Sequence, residues 1–394
     1  MQKLIRVTTV PLSLNILLKG QLSFLNKYYE VLAISGNGKD LEEVQQREKV
    51  PTVAIEMERG ISVFKDLKSF WKLYTCFRRE KPKIVHSITP KAGLLSMAAA
   101  YFARVPIRMH TFTGLVFPSK TGMLQNLLIN MDRCLCFFAT QIYPEGQGVK
   151  RDLIKYKITK KPLKVLANGN VNGIDISHFN PDVFSQEEKE QLRHDFGLQP
   201  EDFVFVFVGR LVGDKGINEM VAAFKKLDSC RGKADSRKGK SLKLLLVGPF
   251  EAELDPLMPD TLEEMQSNPN ILSVGFQPDV RPYFAISDIL VFPSYREGFP
   301  NVVLQAGAMG LASIVTNING SNEIIEEGIN GIIIPVQDSE ALFEAMKKMI
   351  LEEEFRNKLS KNSRRIIKDK YENKEIWKAL LAEYKQLEEN LGKA

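Results

Sequence analysis

Cysteine is scarce in this chain: four residues, none in a Cys-x-x-Cys pair, which excludes a disulfide framework or a zinc site of the usual spacing. Cys134 and Cys136 lie in the apolar stretch 124–143 and are expected to be buried thiols. Long apolar runs are missing too. Without about 18 consecutive uncharged apolar residues, no helix is expected to cross a membrane. Met1 to Arg6 lead straight into a first strand rather than a signal peptide, so a cytoplasmic chain is expected. No Gly-x-Ser-x-Gly elbow occurs, which disfavours a Ser/His/Asp hydrolase. No Gly-x-Gly-x-x-Gly follows a strand, which disfavours dinucleotide binding. No Asp-x-Asp pair is present to hold a metal ion.

What is present suits two domains, the natural prior for 394 residues. With 44% hydrophobic residues there is ample core material. Charge is divided unevenly. Residues 1–180 hold 27 Lys+Arg against 13 Asp+Glu, a net of +14, whereas 181–394 hold 27 against 35, a net of −8. The basic half suggests an anionic partner: a phosphorylated lipid, a membrane surface or nucleic acid.

Apolar runs at 4–10, 29–35, 51–55, 83–86, 107–111 and 139–143 read as strands, with helices near 14–27, 62–80, 91–103 and 121–138. Helix 62–80 collects Val63, Phe64, Leu67, Phe70, Trp71, Tyr74 and Phe77 on one face, with Lys65, Lys68, Lys72 and Arg78 away from it. Packing against a sheet is the expectation for that face; lying on a membrane is the alternative. The alternation restarts at Phe203–Val208, a continuous apolar run typical of a central parallel strand. Strands follow at 242–247, 271–275, 288–292, 312–316 and 331–335, then helices from 338 to the end. Residues 228–240, charged and glycine-containing, read as an exposed loop. They lack the interleaved aromatics of a nucleic-acid patch, and no nucleic-acid partner is expected. Alternation of this kind argues for parallel α/β layers.

Two stretches carry chemistry. Tyr295–Gly310 follows an apolar strand and opens a helix, with Pro300 suited to the first turn. Free amides at such a start, with the positive end of the helix dipole, favour an anion. Gly298 permits close approach to the backbone, and Glu297 makes sense if it faces an uncharged part of the same ligand, such as a sugar. In Gly209–Gly216, Arg210 and Lys215 stand five apart across glycines at a strand-to-helix turn, able to neutralise a diphosphate. The stretch lacks the Gly-Lys-Ser/Thr of a Walker loop.

Tyr295–Gly310 resembles the Glu, seven residues, Glu motif of family 4 of the retaining glycosyltransferases, with Gln305 in place of the second Glu. The stretches 208–224, 242–249, 274–294 and 322–335 are similar to that family too, as are 83–95 and 110–114 more loosely. The resemblance implies the GT-B architecture: α/β, two Rossmann-like doubly wound domains facing across a cleft. It divides the chain into 1–180, an acceptor-side domain; 181–372, a nucleotide-sugar domain; and 373–394, a helix returning to the first domain. It implies that Arg210 and Lys215 hold the nucleotide diphosphate and stabilise the leaving group's charge. Glu297 then contacts the donor sugar and Gln305 the ribose hydroxyls. The amides of Asn301, Val302 and Val303 would meet phosphate, with Gly209, Gly298, Phe299 and Pro300 around them. Phe276 lies in the region that meets the base, and Glu323 is either the family's next acidic residue or a helix cap.

The first half departs from the family. Thr-Thr-Val-Pro-Leu-Ser (8–13) replaces its glycine-rich loop, and Thr113 stands where a histidine is common. His86, Lys91, His110 and Thr113 are the acceptor-side candidates. The implied reaction transfers a sugar, hexosyl or N-acetylhexosaminyl, from a UDP-sugar to a polyprenyl-diphosphate-linked glycan in bacterial surface polysaccharide synthesis, at the inner face of the cell membrane. Cations and a helix dipole can balance the diphosphate, so no metal or other cofactor is expected. The alternatives are a nucleotide-sugar epimerase of the same architecture and a non-catalytic nucleotide-sugar or glycan-binding protein.

Overall fold

The computed structural model describes every residue except Arg59, Ile61, 235–240, Ala252, Leu254 and Ala394. The first six strands are β1 (Lys3–Val7), β2 (Glu30–Ser35), β3 (Thr52–Ala54), β4 (Ile84–Ile88), β5 (Ile107–Phe112) and β6 (Gln141–Pro144). They form a parallel sheet in the order β3-β2-β1-β4-β5-β6. The next six are β7 (Phe203–Val208), β8 (Leu242–Val247), β9 (Ile271–Ser273), β10 (Ile289–Phe292), β11 (Ala312–Thr316) and β12 (Gly331–Ile334). They repeat the arrangement as β12-β11-β10-β7-β8-β9, again parallel. Each is a doubly wound α/β unit, with a crevice at the carboxyl ends of the strands where the winding reverses. That point lies between β1 and β4 in the first unit and between β7 and β10 in the second.

Alternation along the strands covers both sheet faces. In the first unit Ile5, Val7, Leu32 and Val85 enter one core; Leu4, Val31, Ala33 and Ile84 enter the other. The last helix, Asn373–Gly392, adds Leu380, Leu381 and Tyr384 to the second of these cores. Each buried leucine contributes about 1.5–3 kcal/mol. In the second unit all six residues of β7 are buried.

The compact units are Met1–Gly173 with Asn373–Ala394, and Ile174–Glu372. The chain thus changes unit at Ile174 rather than after residue 180, because Ile174, Ile176 and Phe179 pack in the second core and the Ile174 N–H donates to the Tyr371 carbonyl at 2.8 Å.

Four local expectations are corrected. The helix near 14–27 is two pieces, Pro11–Leu17 and Gln21–Leu25, divided at left-handed Gly20 (φ 78°). Helix Val63–Glu80 buries Ser69, Leu73, Cys76 and Phe77 and leaves Val63, Phe64, Leu67 and Trp71 exposed. The expected apolar stripe is therefore divided: Phe77 is buried and Phe70 and Tyr74 pack against the core, whereas its amino-terminal part and Trp71 face outward. Helix Ile217–Ala234 runs through most of the stretch expected as a loop, whose remainder, 235–240, lies outside the described residues. Cys136 is buried, but Cys134 is exposed on the opposite side of helix Gly122–Phe138.

Candidate functional site

The loops after β7 and β10 meet at the reversal point of the second sheet, and glycine makes the approach possible. A Cβ on Gly216 (φ 71°) would lie 2.2 Å from the Pro293 carbonyl oxygen, and one on Gly248 (φ 149°) 1.8 Å from that of Gly209. The short turn Gly213–Lys215 then directs the Lys215 ammonium to the Glu297 carboxylate. Only 14% and 18% of these two side chains is exposed. Ser294 Oγ donates to the same carboxylate at 2.9 Å, and the ammonium lies 5.8 Å from the centre of the Phe292 ring. Two sequence-predicted site residues, seen as separate motifs, are thus one half-buried ion pair.

Arg210 donates to Glu251 at 2.7 Å, and this bond holds the guanidinium pKa above its ordinary value. Arg296 pairs with Asp214 at 2.8 Å. Asp255 fixes the turn itself, accepting from the Asp214 N–H at 2.5 Å and, through its carbonyl, from the Gly213 N–H at 3.2 Å. Glu251, Asp255, Asp214 and Ser294 were not read from the sequence as site residues. The available signal was position: Glu251 follows the Gly-Pro turn at the carboxyl end of β8, beside β7.

Helix Asn301–Ala308 begins one residue later than expected, with Pro300 as its N-cap (ψ 107°) rather than in its first turn. Val303 N–H already closes on the Pro300 carbonyl at 3.1 Å, so the amides of Asn301 and Val302 precede the helical ladder. Gln305, half-buried on this helix, has no side-chain hydrogen-bond partner among the described residues. A Cβ on Gly320 (φ 75°) would lie 2.4 Å from the Gly298 carbonyl oxygen, so the loop after β11 also depends on glycine to reach this point. Glu323 accepts from the Gly320 N–H at 3.3 Å, a cap that holds this loop. Phe299 is buried, its ring 5.6 Å from that of Tyr371, which makes its side chain a core element. Phe276 is 71% exposed beyond β9.

The acceptor-side candidates separate. Both ring nitrogens of His86 are engaged inside the first unit, Nδ1 with Tyr384 Oη at 2.7 Å and Nε2 with Thr111 Oγ1 at 2.8 Å. Burial lowers its pKa well below the ordinary value, aided by the nearby Arg6 charge. His110 is fully buried against Phe112, bonded to Ser87 Oγ at 2.9 Å, and burial lowers its pKa to about 3. Both are buried core groups, held neutral by their surroundings, and His86 also edges a small cavity of about 20 Å³. Lys91, by contrast, lines a cavity of about 410 Å³ and pairs with Asp66 at 2.6 Å. Gly114 lines that cavity too, with Thr113 directly before it in the chain. Sequence reasoning missed Thr9, Thr89 and Asp132 in its wall.

Among the described residues, no group of three or more His, Cys, Asp or Glu side chains could hold a metal ion, and no helix is long and apolar enough to cross a membrane.

Residues 188–366 match the model described as glycosyl transferases group 1, and residues 13–145 match glycosyl transferase 4-like. The chain is 34% identical to the capsular polysaccharide biosynthesis glycosyltransferase CapM of Staphylococcus aureus, over 100% of this chain and 99% of the relative. It is 29% identical to an Escherichia coli UDP-Gal:alpha-D-GlcNAc-diphosphoundecaprenol alpha-1,3-galactosyltransferase, covering 80% and 77%. Among solved structures, Anabaena HepE in complex with UDP aligns over 100% of both chains with a TM-score of 0.77 at 17% identity. A glycosyltransferase from Rickettsia africae aligns over 99% of both at 0.78 and 19%. These likenesses establish the GT-B fold.

Proposed function

This chain belongs to the group 1 glycosyl transferases, and we propose that it moves a sugar from a UDP-sugar to a glycan on a polyprenyl-diphosphate carrier, with retention at the anomeric carbon. The observation that carries the reading is the convergence of Arg210, Lys215 and Glu297 on the loops after β7 and β10, beside the start of helix Asn301–Ala308. Cations and a helix start suit a diphosphate, and a carboxylate beside them suits sugar hydroxyls. HepE, of the same fold, was solved with UDP. The E. coli relative is named for a lipid-diphosphate-linked acceptor, and CapM for capsular polysaccharide. Both support the acceptor class and the surface-polysaccharide role.

In the proposed reaction the bond from the anomeric carbon to the diphosphate oxygen breaks while the acceptor oxygen bonds on the same face. The acceptor's proton passes to the departing oxygen, so no side chain serves as a strong base. Arg210 exchanges Glu251 for the diphosphate, and Lys215 shares its charge between Glu297 and the leaving group. No metal is required in this scheme. The exposed Phe64, Leu67 and Trp71, among Lys65, Lys68 and Lys72, suit peripheral contact with an anionic membrane surface. Purified protein, UDP-sugars and a short polyprenyl-diphosphate-linked sugar test the proposal, with the product's anomeric configuration read by NMR. The donor's configuration is expected in the product; an inverted product would overturn the mechanism.

A further inference from the structure

Glu297 is gripped by one of its two oxygens. Oε1 accepts from the Lys215 ammonium and from Ser294 Oγ, the latter at 2.9 Å. Oε2 takes no hydrogen bond from the described residues and is not enclosed. Ser294 itself is completely buried, two residues beyond the end of β10. A buried hydroxyl needs an acceptor, and three lie within reach. They are Glu297 Oε1 at 2.9 Å, the Arg296 carbonyl at 3.2 Å and the Asp214 carbonyl at 3.4 Å. The hydroxyl has one proton to give. The shortest contact is also the charged one, so the carboxylate takes it.

The backbone that carries Ser294 is fixed from three directions. The buried Thr316 hydroxyl, on the neighbouring strand β11, donates to the Ser294 carbonyl. The next residue, Tyr295, donates its N–H to the Asp214 carbonyl at 2.9 Å. The preceding one, Pro293, has its carbonyl oxygen packed against Gly216, where a Cβ would lie 2.2 Å away. Ser294 Oγ therefore has little freedom, and neither has the carboxylate oxygen it holds.

We propose that Ser294 is a positioning residue for sugar transfer: it fixes the rotation of the Glu297 carboxylate so that Oε2 is the oxygen presented to the donor sugar. The role in transfer rests on the transferase reading of this site; the hydrogen bond does not. Lys215 cannot do this alone. Its ammonium sits on a long flexible stem and can follow a rotating carboxylate or bridge both oxygens. A serine hydroxyl on a pinned backbone cannot follow. It keeps Glu297 anchored while Lys215 shares its charge with the diphosphate. A merely structural serine, closing the turn onto the Arg296 carbonyl, would affect stability and donor binding together. A positioning serine affects the chemical step and leaves the nucleotide's binding alone.

The test compares the wild-type protein with Ser294→Ala, Glu297→Ala and the double variant. Thermal melts need no substrate: the two single shifts in Tm should not add, because each variant removes the same bond. Affinity for UDP, which carries no sugar, should stay within about twofold in Ser294→Ala. UDP-glucose, UDP-galactose and their N-acetylamino counterparts then serve as donors to the short polyprenyl-diphosphate-linked sugar. With the donor that is turned over, kcat in Ser294→Ala should fall about tenfold to 100-fold, the scale of a displaced group at a reacting centre. Ser294→Thr, which restores the hydroxyl, should recover most of that loss. Additive shifts in Tm would remove the bond and the proposal with it. A kcat within about twofold of wild type, UDP affinity falling in step with kcat, or a folded Ser294→Thr as slow as Ser294→Ala would overturn the positioning role. A wild-type protein that uses none of these donors, with the Tm shifts still non-additive, would overturn the transferase reading and leave only the bond.

Discussion

Lys215→Ala separates the two consequences of the pair with Glu297. Removing one partner of a fully buried ion pair costs about 3–5 kcal/mol, because the other charge stays desolvated. Here 14% and 18% of the side chains remain exposed, and Ser294 still donates to Glu297. A stability loss of about 2 kcal/mol is therefore the reasonable scale once solvent screening is discounted. For a unit of this size that corresponds to a fall in Tm of about 4–8 °C. The effect on turnover should be larger, since in the proposed reaction the variant also strips a cation from the diphosphate and leaves a carboxylate facing it. A loss of about 2–5 kcal/mol of transition-state stabilisation means at least ~30-fold in kcat/KM. Thermal melts and steady-state kinetics on Lys215→Ala, Glu297→Ala and the double variant form a cycle. The double variant should recover part of the lost stability and none of the activity. A Lys215→Ala protein with near-normal turnover would refute the role at the diphosphate, and an unchanged Tm would refute the pair's structural weight.

Gln305→Ala should chiefly raise the donor KM, whereas Gln305→Glu should be tolerated within about tenfold, because the amide already offers an acceptor oxygen for ribose. Glu297→Gln should lower kcat more than binding; the opposite pattern would exchange the two roles. Binding to acidic liposomes should fall steeply with salt and be lost in a Phe64→Asp/Trp71→Asp variant; equal binding to neutral vesicles, or none to either, would reject the membrane surface. The Asp132 carboxyl is raised to about 7 by burial, so the unfolded chain releases that proton first and its share of stability falls as pH rises from about 4 to 7. Asp132→Asn should therefore gain in Tm relative to the parent across that window, and a constant difference would show that the carboxyl titrates normally.

The sheets were legible because parallel buried strands leave continuous apolar runs, and Phe203–Val208 is such a run. The site loops were legible because glycines and charges cluster there, although their pairing across 82 positions was not. The acceptor side was harder. His86 reads as a candidate by residue type alone; its ring is engaged by Tyr384, 298 positions away, which no local pattern reveals. Asp132 sits inside an apolar helix, and only the fold shows that it shares a cavity wall with Phe112 and Phe117. The exposed stripe of helix Val63–Glu80 shows the same limit, since periodicity finds an apolar face but not what covers it.

The most direct test of the central claim is a thermal-shift screen of nucleotide sugars against the wild-type protein and Arg210→Ala. A donor at ~100 times its Kd should stabilise the wild-type protein by about 2.7 kcal/mol. The account predicts such a shift with at least one UDP-sugar and its near-complete loss in Arg210→Ala. A shift with no nucleotide sugar, or the same shift in both proteins, would contradict it.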